Sequence, residues 1–429
     1  MSQTDTAQRA NTLGTQKVFS LILQYALPAI AMMLISSLYN IVDKAFVGNF
    51  VGQLGITATT VCHPAVRIID AFAMLVGAGG STLLALRLGE GRSQDAESIL
   101  NNSFLLLILE NIVLIALGYA FTEPLLRLFG AGDQVMPYAV TYMRVVLIGA
   151  FFNSTANGFG MFVRVDGSPR RMMLCSVTGC ILNIILDPIA IYVLGWGIAG
   201  AAAATAFSQI VSGLMVIYYF TLSPRSTMKL QLHLFRLGKT TTLKTAELGF
   251  SSFLQQFTGS LSQSVLLSCL ALFATAETAT ADVAQASVGI TVSIGLFFLL
   301  PAIGISSAIQ PIISYNYGAR NASRVRASFR ALFAACMIYA GALWLAVMLF
   351  PHGFAALFST DEALIGFTAK ALRVYMAVGV LFGVQLACQQ TFIALGNAKS
   401  SLFLAVLRKI VLLIPLISLL PAVLPMDKT

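Results

Sequence analysis

A chain of 429 residues that is 58% hydrophobic and 10% charged, with a mean hydropathy of +0.85, has too little polar surface to fold in water. Its net charge of +9 does not indicate nucleic acid, because the basic residues fall in short stretches between long apolar runs. A polytopic membrane protein is what remains.

The segment 1–17, MSQTDTAQRANTLGTQK, is polar and lacks a signal-peptide cleavage pattern, so it reads as a tail ahead of a retained first span. Apolar runs of bilayer-spanning length follow at 18–47, 53–86, 98–122, 136–163, 172–194 and 198–222. After a basic stretch at 223–245 they resume at 246–274, 283–313, 327–350, 363–395 and 401–424. Eleven spans are predicted, all helical, because lipid offers backbone groups no outside partner. The six cysteines, Cys62, Cys175, Cys180, Cys269, Cys336 and Cys388, lie in or beside these spans without a CxxC pair, which indicates neither a disulfide framework nor zinc.

Every second connection is basic. Arg9 and Lys17 precede the first span; Arg87 and Arg92 follow the second; Arg164, Arg170 and Arg171 follow the fourth; Arg320, Arg324, Arg326 and Arg330 follow the eighth. The intervening connections carry Glu123, Asp133, Glu277, Asp282, Asp361 and Glu362. This asymmetry predicts a cytoplasmic N-terminus in a multi-pass protein of the plasma (inner) membrane.

A shift of 229 residues aligns Gly89 with Gly318, Arg144 with Arg373 and Gly167 with Gly396. The chain therefore reads as an internal duplication whose halves share one orientation about a pseudo-twofold axis along the membrane normal. The implied units are a tail at 1–17, a six-span first lobe at 18–222, a cytoplasmic linker at 223–245 and a five-span second lobe at 246–429. By repeat logic the counterpart of the sixth span would lie beyond residue 429, so the second bundle is expected to be short by a twelfth helix.

Ionisable groups in the spans are where chemistry is expected. Asn183 and Asp187 are four residues apart and share a helix face, and Pro188 removes a helical hydrogen bond, freeing the carbonyl of Ile184. A carboxylate, an amide and a carbonyl form an oxygen-rich spot suited to a hard cation such as Na+, or to a proton. The same pattern also suits a capped kink at the membrane edge.

The strings LPAIAMMLISSLYNIVDKAFVG, with Pro28 and Asp43, then GEGR, NIILDPIAI, GIAGAAAATAFSQ and RKIVLLIPL resemble the motifs of the multidrug and toxic compound extrusion (MATE) family over about residues 15–424, nearest its DinF-like and MepA-like branches. The resemblance implies an all-α fold of two pseudo-symmetric six-helix bundles in a V. It implies export of amphipathic, often cationic, small molecules by antiport with Na+ or H+, with no cofactor beyond that ion. It also places a cation-coupling site at Asp43, Asn183, Asp187 and Thr205. Pro28 then acts as a bending point about 22 Å along the helix from Asp43, and Pro188 as a second hinge.

The second half offers amides instead of acids: Gln255, Gln256, Gln263, Gln310, Gln385, Gln389 and Gln390. Coupling is accordingly expected in the first lobe, with these amides joining helices. His63, Arg67 and Asp70 form a stripe on the second span that either lines the cleft or neutralises itself, and Glu110 stands alone in the third. The 29 Phe and 15 Met suit an adaptable apolar pocket. The expected partners are amphipathic solutes and membrane lipid, with no nucleic acid, for a chain acting as a monomer. A lipid or oligosaccharide-lipid flippase of related architecture and an inactive shortened remnant are the alternatives. An enzyme is disfavoured, since His63, His233 and His352 sit in no HExxH or GxSxG setting.

Overall fold

The computed structural model describes residues 12–273, 279–358, 361–413 and 415–416. Glu277, the side chains of Gln263, Cys269 and Asp282, and the end of the last predicted span lie outside the described residues. The regular structure is all helix, with no strand among the described residues. Its first six long helices are α1 (Val18–Phe50), α2 (Gln53–Gly89), α3 (Ser93–Ala120), α4 (Met136–Val165), α5 (Pro169–Val193) and α6 (Gly197–Thr221), each long and apolar enough to cross a membrane. They are followed by α7 (Lys239–Phe273), α8 (Ala279–Gly318), α9 (Ala322–Leu349), α10 (Glu362–Met376), α11 (Gly379–Ala394) and α12 (Ala398–Val406).

The single span read at 363–395 is in fact two helices bent by 41° at Ala377 and Val378. The apolar run continues through this break without a proline, so hydropathy could not locate it. Trp344 of α9 supports the bend by donating its indole N–H to the Ala377 carbonyl at 3.3 Å. A freed backbone acceptor is thereby satisfied.

Two helices are exchanged between the halves. The first turns of α1, with Leu21, Ile22, Tyr25 and Ala26, are buried among Ile309, Ile312 and Ile313 of α8 and Leu332 and Cys336 of α9. Past Pro28, itself buried, α1 runs on unbroken into the first half, where Val47 packs on Ile191, Ile198 and Ala201. Reciprocally, α7 lies along α2, with Phe253 edge-on to Phe72 and a Cβ on Gly249 brought to 1.8 Å from the Leu75 carbonyl oxygen. Only glycine permits so close a backbone approach.

At the seam the duplication becomes geometry. A Cβ on Gly89 would meet the Tyr315 carbonyl oxygen at 2.0 Å, and one on Gly318 would meet that of Leu86 at 2.2 Å. Both pairs are related by the 229-residue shift, so α2 and α8 cross on the pseudo-twofold axis. The repeat-related glycines Gly167 and Gly396 also share left-handed turns, with φ of 77° and 73°.

The segment between the halves is anchored to the first half. Asn101 of α3 donates to the Lys229 carbonyl at 3.0 Å and accepts from the Gln231 N–H at 2.7 Å, Glu97 accepts from the Lys229 N–H, and Asn102 donates to the Arg236 carbonyl. The buried carboxylate of Asp166, between α4 and α5, accepts from the Tyr219 hydroxyl at 2.6 Å and from both the hydroxyl and the N–H of Thr227. Burial pushes Asp166 up to about 6, against these hydrogen bonds, which pull it down. The folded state therefore holds this proton at a pH where the unfolded chain has released it. The stabilisation is complete below pH 4 and is lost as pH rises through 6. Lowering pH from 7 to 5 should thus raise the stability of the parent protein relative to Asp166→Asn by about 1 kcal/mol. Thermal unfolding of both proteins in detergent at the two pH values checks this, and equal pH responses would contradict it.

Candidate cation site

The site forms where α1, α5 and α6 converge. Asn183 and Asp187 share a buried face of α5, and the helix widens into a π turn, Ile189–Val193, directly after Pro188. The Asn183 amide donates to Asp187 Oδ1 and to Thr205 Oγ1 of α6, each at 3.3 Å. Asp43 of α1 brings its carboxyl within hydrogen-bonding range of Asp187. The structure thus gathers Asp43, Asn183, Asp187 and Thr205 into one cluster.

Three oxygens of the cluster, Asp43 Oδ1, Asn183 Oδ1 and Asp187 Oδ2, are buried and accept no hydrogen bond from an N–H or hydroxyl among the described residues. All three are acceptors. Buried acceptors left bare cost free energy, and a small hard cation or a proton is the occupant whose chemistry would relieve that cost.

Two tyrosines complete the surroundings and were not foreseen in the sequence. Tyr142 of α4 reaches Thr205, and Tyr39 stands one helical turn before Asp43 on α1. Neither position carries a spacing signal, since an aromatic residue in an apolar helix reads as core.

The residues of the α2 stripe part company. His63 and Arg67 are exposed on the protein surface, whereas Asp70 is buried. Asp70 accepts from Asn153 of α4 at 2.8 Å and lies 3.9 Å from Arg67, and Asn157 donates on to Asn153 at 3.2 Å. These asparagines flank and occupy a π turn, Thr155–Phe159. A pair of polar side chains four apart in an apolar helix is the signature that drew attention to Asn183 and Asp187, and it could have found these two asparagines. Glu110 Oε1 is buried with no partner among the described residues.

Arg164 is a correction. Its position after an apolar run reads as a loop charge, but α4 continues to Val165 and Arg164 is buried against the other half, donating to Ser307 Oγ at 3.3 Å. Gln310 also crosses the seam, donating to Thr82 at 2.9 Å.

The sequence profile of the MatE family matches two segments of near-equal length, residues 28–189 and 260–419. The chain belongs to the MatE family. Among its relatives are the multidrug export protein MepA of Staphylococcus aureus strain MRSA252, 24% identical over 92% of this chain and 86% of that protein, and MepA of Staphylococcus saprophyticus, 25% identical over the same shares. A multidrug resistance MATE family transporter of the MOP superfamily in an outward-facing conformation superposes with a TM-score of 0.87 at 25% identity, covering 98% of this chain and 91% of that one. A MOP superfamily transporter from Pyrococcus furiosus gives 0.87 at 25% identity over 99% and 92%, and a MATE structure in a bent conformation gives 0.87 at 26% over 97% and 90%. The fold of this MATE chain is the two-lobed, V-shaped arrangement of these multi-pass membrane proteins.

Proposed function

We propose that this MATE chain exports amphipathic organic compounds, cations among them, by antiport with Na+ or H+, and that the coupling ion binds among Asp43, Asn183, Asp187 and Thr205. The observation that carries this reading is the set of three buried acceptor oxygens at that cluster that receive no N–H or hydroxyl hydrogen among the described residues. For Na+, the two carboxylates would balance the charge while the Asn183 carbonyl and the Thr205 hydroxyl add neutral oxygens. For H+, the adjoining carboxyls would share it, since neighbouring carboxylates resist joint ionisation.

Coupling to cargo follows from α1. One end of this helix lies in the core of the second half and the other bears Asp43 at the site in the first. Filling the site removes the mutual repulsion of Asp43 and Asp187 and so changes how the outer part of α1 packs. Pro28 and the Pro188 π turn are the places where the backbone most readily absorbs that change. With the N-terminus in the cytoplasm, the Gly89 and Gly318 crossing lies toward the cytoplasmic end and holds it closed.

Reconstitution into proteoliposomes with sodium and pH gradients imposed separately tests the reading. Uptake of a fluorescent amphipathic cation should follow one gradient or both and vanish when both are dissipated. Transport indifferent to either gradient would refute ion coupling.

A further inference from the structure

The seam between the halves holds a small, partly open pocket that cation coupling does not use. Its interior volume is about 10 Å³, room for the centre of a single small particle, and it is lined by Ser81 and Thr82 of α2, Arg164 of α4 and Ser307, Gln310 and Ser314 of α8. Pockets for drug-sized ligands run from about 300 to 1,000 Å³, so this one is too small for organic cargo. Its chemistry is lopsided. Arg164 is 9% exposed, spends one N–H on Ser307 across the seam, and leaves Nε buried without a partner.

No carboxylate among the described residues balances that guanidinium. Arg164 belongs to none of the ion pairs among the described residues. Asp166, two residues on, turns its oxygens to Tyr219 and Thr227. An uncompensated buried charge is strongly unfavourable. The Ser81, Ser307 and Ser314 hydroxyls give their hydrogens to backbone carbonyls, but Gln310 gives its amide hydrogen to Thr82 Oγ1, which leaves the Thr82 hydroxyl hydrogen free to turn inward.

We propose that this pocket binds a small inorganic monovalent anion of chloride size, held by the Arg164 guanidinium and the Thr82 hydroxyl. Its walls come from both halves, so the site exists only while the seam is shut, and the anion stabilises that conformation by mass action. This goes beyond the export reading and does not depend on it.

Thermal unfolding of the purified protein in detergent, at constant sodium and ionic strength, tests the site without any transport measurement. Replacing gluconate with chloride, bromide or nitrate should raise the unfolding midpoint saturably by roughly a few degrees. Arg164→Met should lose that increment, and crystals soaked in bromide should show anomalous density beside Arg164. Identical midpoints in gluconate and chloride for the parent protein would overturn the proposal even if the variant does not fold. So would an anion response of unchanged size in Arg164→Met.

Discussion

Asp43→Asn and Asp187→Asn are each expected to reduce ion-driven efflux to background while leaving the protein in the membrane. Asparagine keeps the shape of the side chain and one acceptor oxygen but removes the charge. In Asp187 the acceptor that receives the Asn183 amide can survive the exchange, so local packing should hold. What is lost is the second anionic oxygen, the one that accepts no N–H or hydroxyl hydrogen among the described residues. A bond to a charged group contributes about 1.5 to 3 kcal/mol, equivalent to about 10-fold to 100-fold in ion affinity. Ethidium efflux from cells and membrane abundance by immunoblot are the measurements. Normal efflux from either variant at normal abundance would remove that carboxylate from the coupling site. Asn183→Ala should weaken rather than abolish transport, because both carboxylates remain.

The second large effect is expected at the seam. Valine at Gly318 would place a Cβ at 2.2 Å from the Leu86 carbonyl oxygen, a backbone atom that cannot swing aside, and valine at Gly89 meets Tyr315 in the same way at 2.0 Å. Overpacking of this kind costs about 1 to 3 kcal/mol, enough to shift a two-state balance roughly 5-fold to 150-fold toward parted helices. A cysteine at Ser307, on the seam, should then react at least about fivefold faster with a water-soluble maleimide in Gly318→Val than in the parent. The comparison is made against protein lacking the added cysteine, since four of the five described native cysteines are buried and Cys388 is partly so. Gly341→Val is the control, because nothing lies within 4 Å of its added Cβ. Equal labelling of Gly318→Val and the control would show that the crossing does not hold the seam shut.

The sequence made the first six helices readable because each is an unbroken apolar run between charged or glycine-bearing connections, and Gly91, Gly130, Gly167 and Gly195 do stand in left-handed turns there. Asn183 and Asp187 were readable because polar groups four apart in hydrocarbon have one common face. Thr205 was not readable from its own surroundings: a lone hydroxyl in an apolar helix ordinarily bonds its own preceding turn, and only the family motif singled it out. Arg164 was misread because the rule for basic residues at span ends describes averages, whereas contact between two packed halves decides whether a given end meets water. The double life of α1 was equally hidden. The helix is apolar on every side, so its pattern names no preferred face, and its two successive cores emerge only once α8 and α5 are in place.

The crossing of α2 and α8 carries a historical implication. Leu86 against Gly318 and Tyr315 against Gly89 are one contact made twice, the relation that two copies of a single surface adopt in a symmetric dimer. A free-standing protein of half this length could have met its twin through the same patch before a fusion event joined the pair into one polypeptide. The leucine facing a tyrosine at equivalent places is the kind of divergence that such a union permits, since each side has since been free to drift alone.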